Sequence, residues 1–353
     1  MSWLYFVLPF ITALVLTPVL KVVAAKFNLY APVNERTIHR TKIARIGGIA
    51  IFLAFVLATV VFIPIDQSML GVLAGATIIF VTGLIDDIVD IKPLVKLLMQ
   101  VLSALVLMYA GGVSLDKFNL PFGLVITNEI ILDIITFTWI VGVTNAINLI
   151  DGLDGLASGI CLIVLIILYL IAVNFGGVGY NSLLLVVILM GTIIGFLPYN
   201  FYPASIFLGD CGAQLLGYLM ACITIMSFKS TAFITLLVPF AMLFVPLVDS
   251  LVTIIRRKIT GKKITDADKH HLHHVLMFDL NLGHRRTVLV LYGVSAIFAG
   301  TAYLYRYDQV LGTIVLLFLV LLFEVFIEYT GMINSKYHPI LSFFKWISKN
   351  KDE

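Results

Sequence analysis

Three carboxylates fall within five positions of the segment Gly83-Leu84-Ile85-Asp86-Asp87-Ile88-Val89-Asp90, at the end of an apolar run. Carboxylates in such surroundings are costly and are usually paired or functional. Adjacent Asp86 and Asp87 repel one another unless a cation or a proton intervenes. A solvated helix end is the plain alternative. Lys96 opens the next apolar run, where an interfacial anchor is the ordinary role for a lysine.

A second polar block, Asn145-Ala146-Ile147-Asn148-Leu149-Ile150-Asp151-Gly152-Leu153-Asp154-Gly155, interrupts another apolar region. Asn145 and Asn148 share a helix face at i,i+3, and Asp151-Gly152 and Asp154-Gly155 repeat the interval. Amide and carboxylate oxygens at this spacing suit Mg²⁺ or the edge of a nucleobase, and the glycines permit close approach. The competing reading is a pair of Asx turns. A third block, Phe196 to Gly212, holds Phe207, Gly209, Asp210 and Cys211. Asp210 is placed to cap a helix or to hold a metal, two compatible roles. Phe207 offers either a ring face for a base or a packing group.

Four of the seven histidines lie between 270 and 274, in Asp266-Ala267-Asp268-Lys269-His270-His271-Leu272-His273-His274. His270 and His274 at i,i+4 permit a zinc site, but the Glu of an HExxH motif is missing. With Arg256, Arg257, Lys262, Lys263 and Lys269 nearby, the cluster reads as an anion-binding loop for phosphate and sugar. The segment Asn34 to Gly48 adds His39, Lys42 and Arg45 ahead of Gly47-Gly48; its basic residues either follow the positive bias of cytoplasmic loops or contact phosphate through Arg45 or Lys42.

The elements that position these residues follow from composition. The 353 residues are 61% hydrophobic and 12% charged, with a mean hydropathy of +1.07. A water-facing surface needs about twice that charge. Apolar runs of about 17–25 residues, enough to cross a bilayer as helices, are read at 3–22, 46–64, 69–85, 94–112, 130–147, 157–175, 181–198, 211–228, 232–255, 286–305 and 309–329. The expected fold is therefore an all-α integral membrane protein, a polytopic bundle of about 11 transmembrane helices. Residues 1–353 form one such domain, with a loop at 256–286 carrying the histidines. Residues 113–129 suggest a turn or small hairpin. The aromatic and basic tail from Gly331 suits a membrane surface. Of the 23 Lys and Arg residues, all but Lys117, Lys229 and Arg306 lie in one set of loops. That set is expected in the cytoplasm, with the N-terminus outside and the C-terminus inside. Three cysteines without a pairing pattern suggest neither disulfides nor a thiolate metal site. The one-sided polar residues favour a site open to a cytosolic substrate over a transporter, which places polar groups at mid-membrane.

Four of these blocks in order, Asp86-Asp87-x-x-Asp90, Asn145 to Ala157, Phe196 to Gly212 and His271-Leu272-His273-His274, resemble the polyprenyl-phosphate N-acetylhexosamine-1-phosphate transferase superfamily. The resemblance runs from Asn34 to His274. Asp90 and the His-Leu-His-His form look like the bacterial undecaprenyl-phosphate GlcNAc-1-phosphate transferase branch. The alternative is the branch that uses UDP-MurNAc-pentapeptide. Ala31, Thr37 and Ala44 stand where that first branch often has Asp, Lys and Pro.

The resemblance implies transfer of GlcNAc-1-phosphate, or a related HexNAc-1-phosphate, from a UDP-sugar to undecaprenyl phosphate. It also implies a multi-pass protein of the bacterial cytoplasmic membrane with its active site on the inner face, and a possible homodimer. Mg²⁺, with Mn²⁺ as substitute, would be held by Asp210 and Asn148. Asp86 would lie beside the lipid phosphate and Asp87 would orient Lys96 or the metal shell. Asp154 would hold the uracil edge, with Phe207 against its ring. Lys96, Asn145, Asp151, Arg45, His39, His270, His271, His273 and His274 complete the expected substrate-binding set.

Overall fold

The computed structural model describes residues 3–30, 43–119, 125–228, 237–261, 271–333 and 338–342. Polar residues at the edges of the apolar runs set where helices begin and end. Helix α1 (Leu4–Phe27) stops at Asn28, in the left-handed region at φ 55°. After α2 (Gly48–Phe62), the Asp66 side chain accepts from Met69 N at 2.9 Å and starts α3 (Gln67–Val89), which ends at left-handed Asp90. Pro93 opens α4 (Pro93–Leu105), as suits a residue with no amide hydrogen to satisfy. Strands β1 (Phe118–Asn119) and β2 (Val125–Ile126) form the expected small hairpin, pairing Phe118 with Ile126. Asn128 then caps α5 (Glu129–Ile150). The bundle continues with α6 (Leu156–Phe175), α7 (Tyr180–Asn200), α8 (Gly209–Phe228), α9 (Leu237–Met242), α10 (Phe244–Ile259), α11 (Leu272–His274), α12 (His284–Tyr307) and α13 (Gln309–Thr330).

Among the described residues nine helices are long and apolar enough to cross a membrane, and the chain is an all-α polytopic membrane protein. Two of the predicted runs differ in form. The run at 46–64 yields α2, whose 15 residues reach only about 22 Å. The run at 232–255 is broken at Leu243 into α9 and α10. Pro246, which has no N–H to give Met242 O, accounts for the break.

Burial sorts the helices. Almost every side chain of α8 is buried, whereas α1 and α13 leave most of their apolar surface exposed, as helices facing lipid do. Helices α3, α5 and α2 pack around α8. Small residues permit this: a Cβ on Gly83 of α3 would lie 2.5 Å from Cys211 Cα and 2.8 Å from Asp210 C, both backbone atoms of α8. The three cysteines are buried and free. In α13, buried Glu328 accepts from Ile340 N at 2.8 Å and Leu341 N at 2.9 Å, drawing segment 338–342 onto the bundle. Phe343, Phe344 and Trp346 of the tail lie outside the described residues.

The backbone contact at Gly83 yields a first test. Gly83→Ala should lower the thermal midpoint of the detergent-solubilised protein by an amount corresponding to about 1–3 kcal/mol, the usual cost of overpacking. An unchanged midpoint would mean that α3 and α8 do not meet in this register.

Candidate active site

The last turn of α3 sends its two carboxylates to different neighbours. The Asp87 side chain, shut off from solvent, accepts from Asp210 N at 2.8 Å and Cys211 N at 3.0 Å, amides of the first turn of α8. A carboxylate there satisfies otherwise orphaned donors and complements the helix dipole. Asp87 also pairs with Arg45 Nε at 3.1 Å. Asp86, equally buried, accepts from Ile91 N at 2.9 Å and pairs with Lys96 Nζ. Both cations then meet on one oxygen of Asp210: Arg45 Nη2 at 2.8 Å and Lys96 Nζ at 3.5 Å from Oδ2. The result is a continuous chain of charge, Asp86–Lys96–Asp210–Arg45–Asp87.

Arg45 owes its place to a strand-like contact. Phe207 N donates to Ala44 O at 2.8 Å, and Gly47 N and Gly48 N donate to Phe207 O and Leu208 O at 3.0 and 2.9 Å. This sets segment 43–48 beside the start of α8. Burial alone would push the Arg45 guanidinium down, but Asp210, Asp87 and Asp86 outweigh it and its pKa is raised.

Beside this chain lies a cavity of about 130 Å³ lined by Arg45, Asn148, Asp151, Asp154, Phe207 and Asp210, among others. Asp154 is held rigidly: its Oδ2 accepts from Ala204 N at 2.9 Å, and its own N–H donates to His284 Nε2 at 2.9 Å. Asn200 closes the same corner, accepting from Ser158 Oγ at 2.8 Å and donating to Ile206 O at 3.2 Å. Burial, reinforced by the negative charge of Asp210, raises the Asp151 carboxyl to about 8 despite Arg45. The donors around the cavity are carboxylate and amide oxygens, which fit a hard divalent cation such as Mg²⁺ that takes few protein ligands. Among the described residues no three His, Cys, Asp or Glu side chains gather as a metal set.

The histidine segment reaches the cavity from behind. Asp249, buried in α10, accepts from Leu272 N at 2.7 Å and lies 2.9 Å from His271 Nδ1. Thr253 Oγ1 lies 3.3 Å from the same ring nitrogen. His273 rests on the cavity loop, where a Cβ on Gly152 would come 2.6 Å from its Cε1. His273 is buried, which pushes its pKa down to about 3, so the ring is neutral. His274 is tilted against His273, with ring centroids 4.5 Å apart, and stacks on Phe278 at 5.6 Å.

The residues singled out from sequence thus fall into groups. Arg45, Asn148, Asp151, Asp154, Phe207 and Asp210 share the cavity wall, with Asp86, Asp87 and Lys96 joined to it by ion pairs. Asn145 is not on the wall; its amide donates to Gln100 Oε1 and Val141 O. His271, His273 and His274 lie together behind the Asp151–Asp154 loop, whereas His39 and His270 lie outside the described residues. Sequence reasoning missed Asp249, His284, Gln100 and Gln214. Asp249 carried a usable signal, as the lone acidic residue of an apolar run. His284 carried none, because its partner Asp154 is 130 residues away.

The profile of glycosyl transferase family 4 matches residues 69–228, the stretch from α3 through α8. The chain is 36% identical to "Probable undecaprenyl-phosphate N-acetylglucosaminyl 1-phosphate transferase" of Bacillus subtilis (strain 168), over 98% of its own length and 96% of that protein's. The chain belongs to glycosyl transferase family 4. This family is the superfamily to which the motifs pointed. Other family members are similar over most of their lengths. "Decaprenyl-phosphate N-acetylglucosaminephosphotransferase" of Mycobacterium tuberculosis (strain ATCC 25618 / H37Rv) is 33% identical over 77% of this chain and 74% of that one. "Undecaprenyl-phosphate alpha-N-acetylglucosaminyl 1-phosphate transferase" of Thermotoga maritima is 28% identical over 80% and 84%. The family match contains every acidic residue of the charge chain and cavity, but neither Arg45 nor the histidines.

Two measurements test this geometry. Gly152→Ala should lower the thermal midpoint in the wild-type background and do so much less beside His273→Ala, since the added methyl then has room; equal losses in both backgrounds would separate the ring from the loop. Asp151 carries the opposite sign to a salt-bridged acid: its raised folded-state pKa adds stability at low pH that is lost as pH rises from about 4 towards 8. In chelator, Asp151→Asn should therefore gain thermal midpoint relative to wild type between pH 5 and pH 8.5, and a constant difference would contradict the assignment.

Proposed function

We propose that the protein transfers GlcNAc-1-phosphate, or a related HexNAc-1-phosphate, from its UDP-sugar to undecaprenyl phosphate. The products are UMP and a polyprenyl-pyrophosphate-linked sugar, the first membrane step of a cell-surface polysaccharide such as O-antigen, common antigen or teichoic acid. The observation that carries this reading is the convergence on Asp210 of Arg45 and Lys96, next to a cavity of oxygen donors at one end of an apolar bundle. The relatives' names support the same donor sugar and a polyprenyl acceptor.

In this reading a phosphate oxygen of the acceptor attacks the β-phosphorus of the donor. The bond to the bridging oxygen breaks, and UMP leaves with the electron pair. A phosphate monoester is mostly dianionic at neutral pH, so the acceptor needs placement and charge screening more than a base. Lys96 and Arg45 supply the screening, and Asp86 holds Lys96 in place beside the acceptor phosphate. Asp154, fixed by Ala204 N, presents its carboxylate to the uracil edge, and Phe207 lies against the base. Asp210 and Asn148 would hold Mg²⁺, or Mn²⁺ in its place. The bound ion would draw charge from the β-phosphorus and favour departure of UMP.

The finer topology belongs to the same proposal. The α9–α10 pair and α2 complete eleven crossings, with the N-terminus outside and the C-terminus in the cytoplasm. The basic loops then place the site on the inner face of the bacterial cytoplasmic membrane, where UDP-sugar is met. A homodimer is the expected assembly.

The test is release of UMP from UDP-GlcNAc by purified protein with undecaprenyl phosphate and Mg²⁺. Asp210→Ala should abolish it. Asp86→Asn should lower kcat on the order of a hundredfold while leaving nucleotide affinity nearly unchanged. No UMP release with either cation would reject the transferase reading, and full turnover by Asp86→Asn would remove that residue from the reaction.

A further inference from the structure

One polar cluster has no part in the site as described. Helices α4, α5 and α8 each carry an amide one turn deeper in the bundle than a site residue. Gln100 follows Lys96 by four positions, Gln214 follows Asp210 by four, and Asn145 precedes Asn148 by three. These separations put each pair on one helix face. The three amides are joined: Asn145 Nδ2 donates to Gln100 Oε1 at 2.6 Å, and Gln100 Nε2 donates to Gln214 Oε1 at 3.1 Å. Gln100 is 3% exposed and Gln214 is fully buried. Helices α4 and α8 are therefore tied by two rungs one turn apart, Lys96–Asp210 above and Gln100–Gln214 below.

Stability does not account for this network. Among the described residues Gln214 Nε2 has no hydrogen-bond partner and is shut away from solvent. A buried donor left in that state costs about 1–3 kcal/mol. Hydrogen bonds between membrane helices return only about 0.6 kcal/mol on average. An apolar layer would hold the helices together at least as well. Apolar contacts, however, do not fix the rotation or depth of a helix, and directional amide bonds do. The fixed level lies directly beneath Lys96, Asp210 and Asn148.

We propose that Gln100, Gln214 and Asn145 are positioning residues: a buried amide triad that sets Lys96, Asp210 and Asn148 in mutual register for phosphoryl transfer. The assignment rests on the transferase reading for its kinetic consequence and on the packing of α4, α5 and α8 for its structural one. Asn145 then acts through Gln100 rather than by touching substrate.

The test replaces the amides by a side chain of similar length and no polarity, Gln100→Met, Gln214→Met and the double variant. Thermal midpoints of all three should match or exceed wild type, within about 2 °C. The kcat of UMP release should fall by about tenfold to a hundredfold, with KM for each substrate within about threefold of wild type. The double variant should lose no more than the worse single one, because the amides act as a unit. A merely structural role gives the reverse pattern, and either lowered midpoints in both single variants or retained kcat overturns the proposal. If Gln214→Met does not accumulate, Gln100→Met carries the same test from the other end of the bond. A wild type that releases no UMP would reject the transferase reading on its own. The thermal comparison would then still decide against the triad if both midpoints fell.

Discussion

The carboxylate of Asp87 against the first amides of α8 is the interaction on which the site depends. Helix α8 is the most buried of the membrane-length helices and carries Asp210 in its first turn. Its opening N–H groups have no partners within their own helix, and a buried helix end has no water to supply them. Asp87 accepts from two of them and takes Arg45 as counter-ion. One side chain thereby docks α3 on α8, fixes Asp210 at the cavity wall and holds Arg45 over it. The close approach of Gly83 to Cys211 and Asp210 is the packing that makes this reach possible.

Why two consecutive acids are tolerated in so apolar a chain follows from helical geometry. Successive residues on an α-helix point about 100° apart, so Asp86 and Asp87 do not share an environment. Asp87 faces α8, and Asp86 faces α4 and Lys96. Their repulsion is relieved by separation and by two different cations rather than by one shared ion. The cations are in turn coupled through Asp210. Removing Lys96 or Arg45 would leave Asp86 or Asp87 as a buried charge without its counter-ion, which is far costlier than the pair was worth. Each of these two carboxylates is for that reason tied to its own cation.

Much of this was legible in the sequence. The apolar runs gave the helices, because in lipid only a helix or a closed barrel can satisfy its backbone. The acidic and amide blocks gave the cavity wall, because polar groups in such runs need a reason to be there. Illegible features were those fixed by long-range partners. Nothing local says that His273 lies against Gly152 or that His284 holds Asp154, since both contacts cross more than a hundred residues. The division of labour inside motifs was equally hidden. Asn145 and Asn148 look alike at i,i+3, yet one lines the cavity and the other bonds to Gln100. The break at Leu243 was readable from Pro246 but was masked by the unbroken apolarity around it.

A lipid acceptor and a water-soluble donor have no common solvent, and this shapes where such a site can be. Helix ends are the one place in a bundle where loops, helix dipoles and charged side chains can coexist with apolar walls. Here the C-terminal ends of α3 and α5 and the N-terminal ends of α4, α6, α8 and α12 meet. N-termini gathered in this way favour anions, while the carboxylates they hold favour cations. Neither sign dominates; in the proposed function a phosphate would be held by Arg45 and Lys96 only where Asp210 yielded some of its hold on them. That competition, set up by the bridging position of Asp210, would then link the arrival of phosphate to the freeing of a carboxylate oxygen for the proposed metal ion.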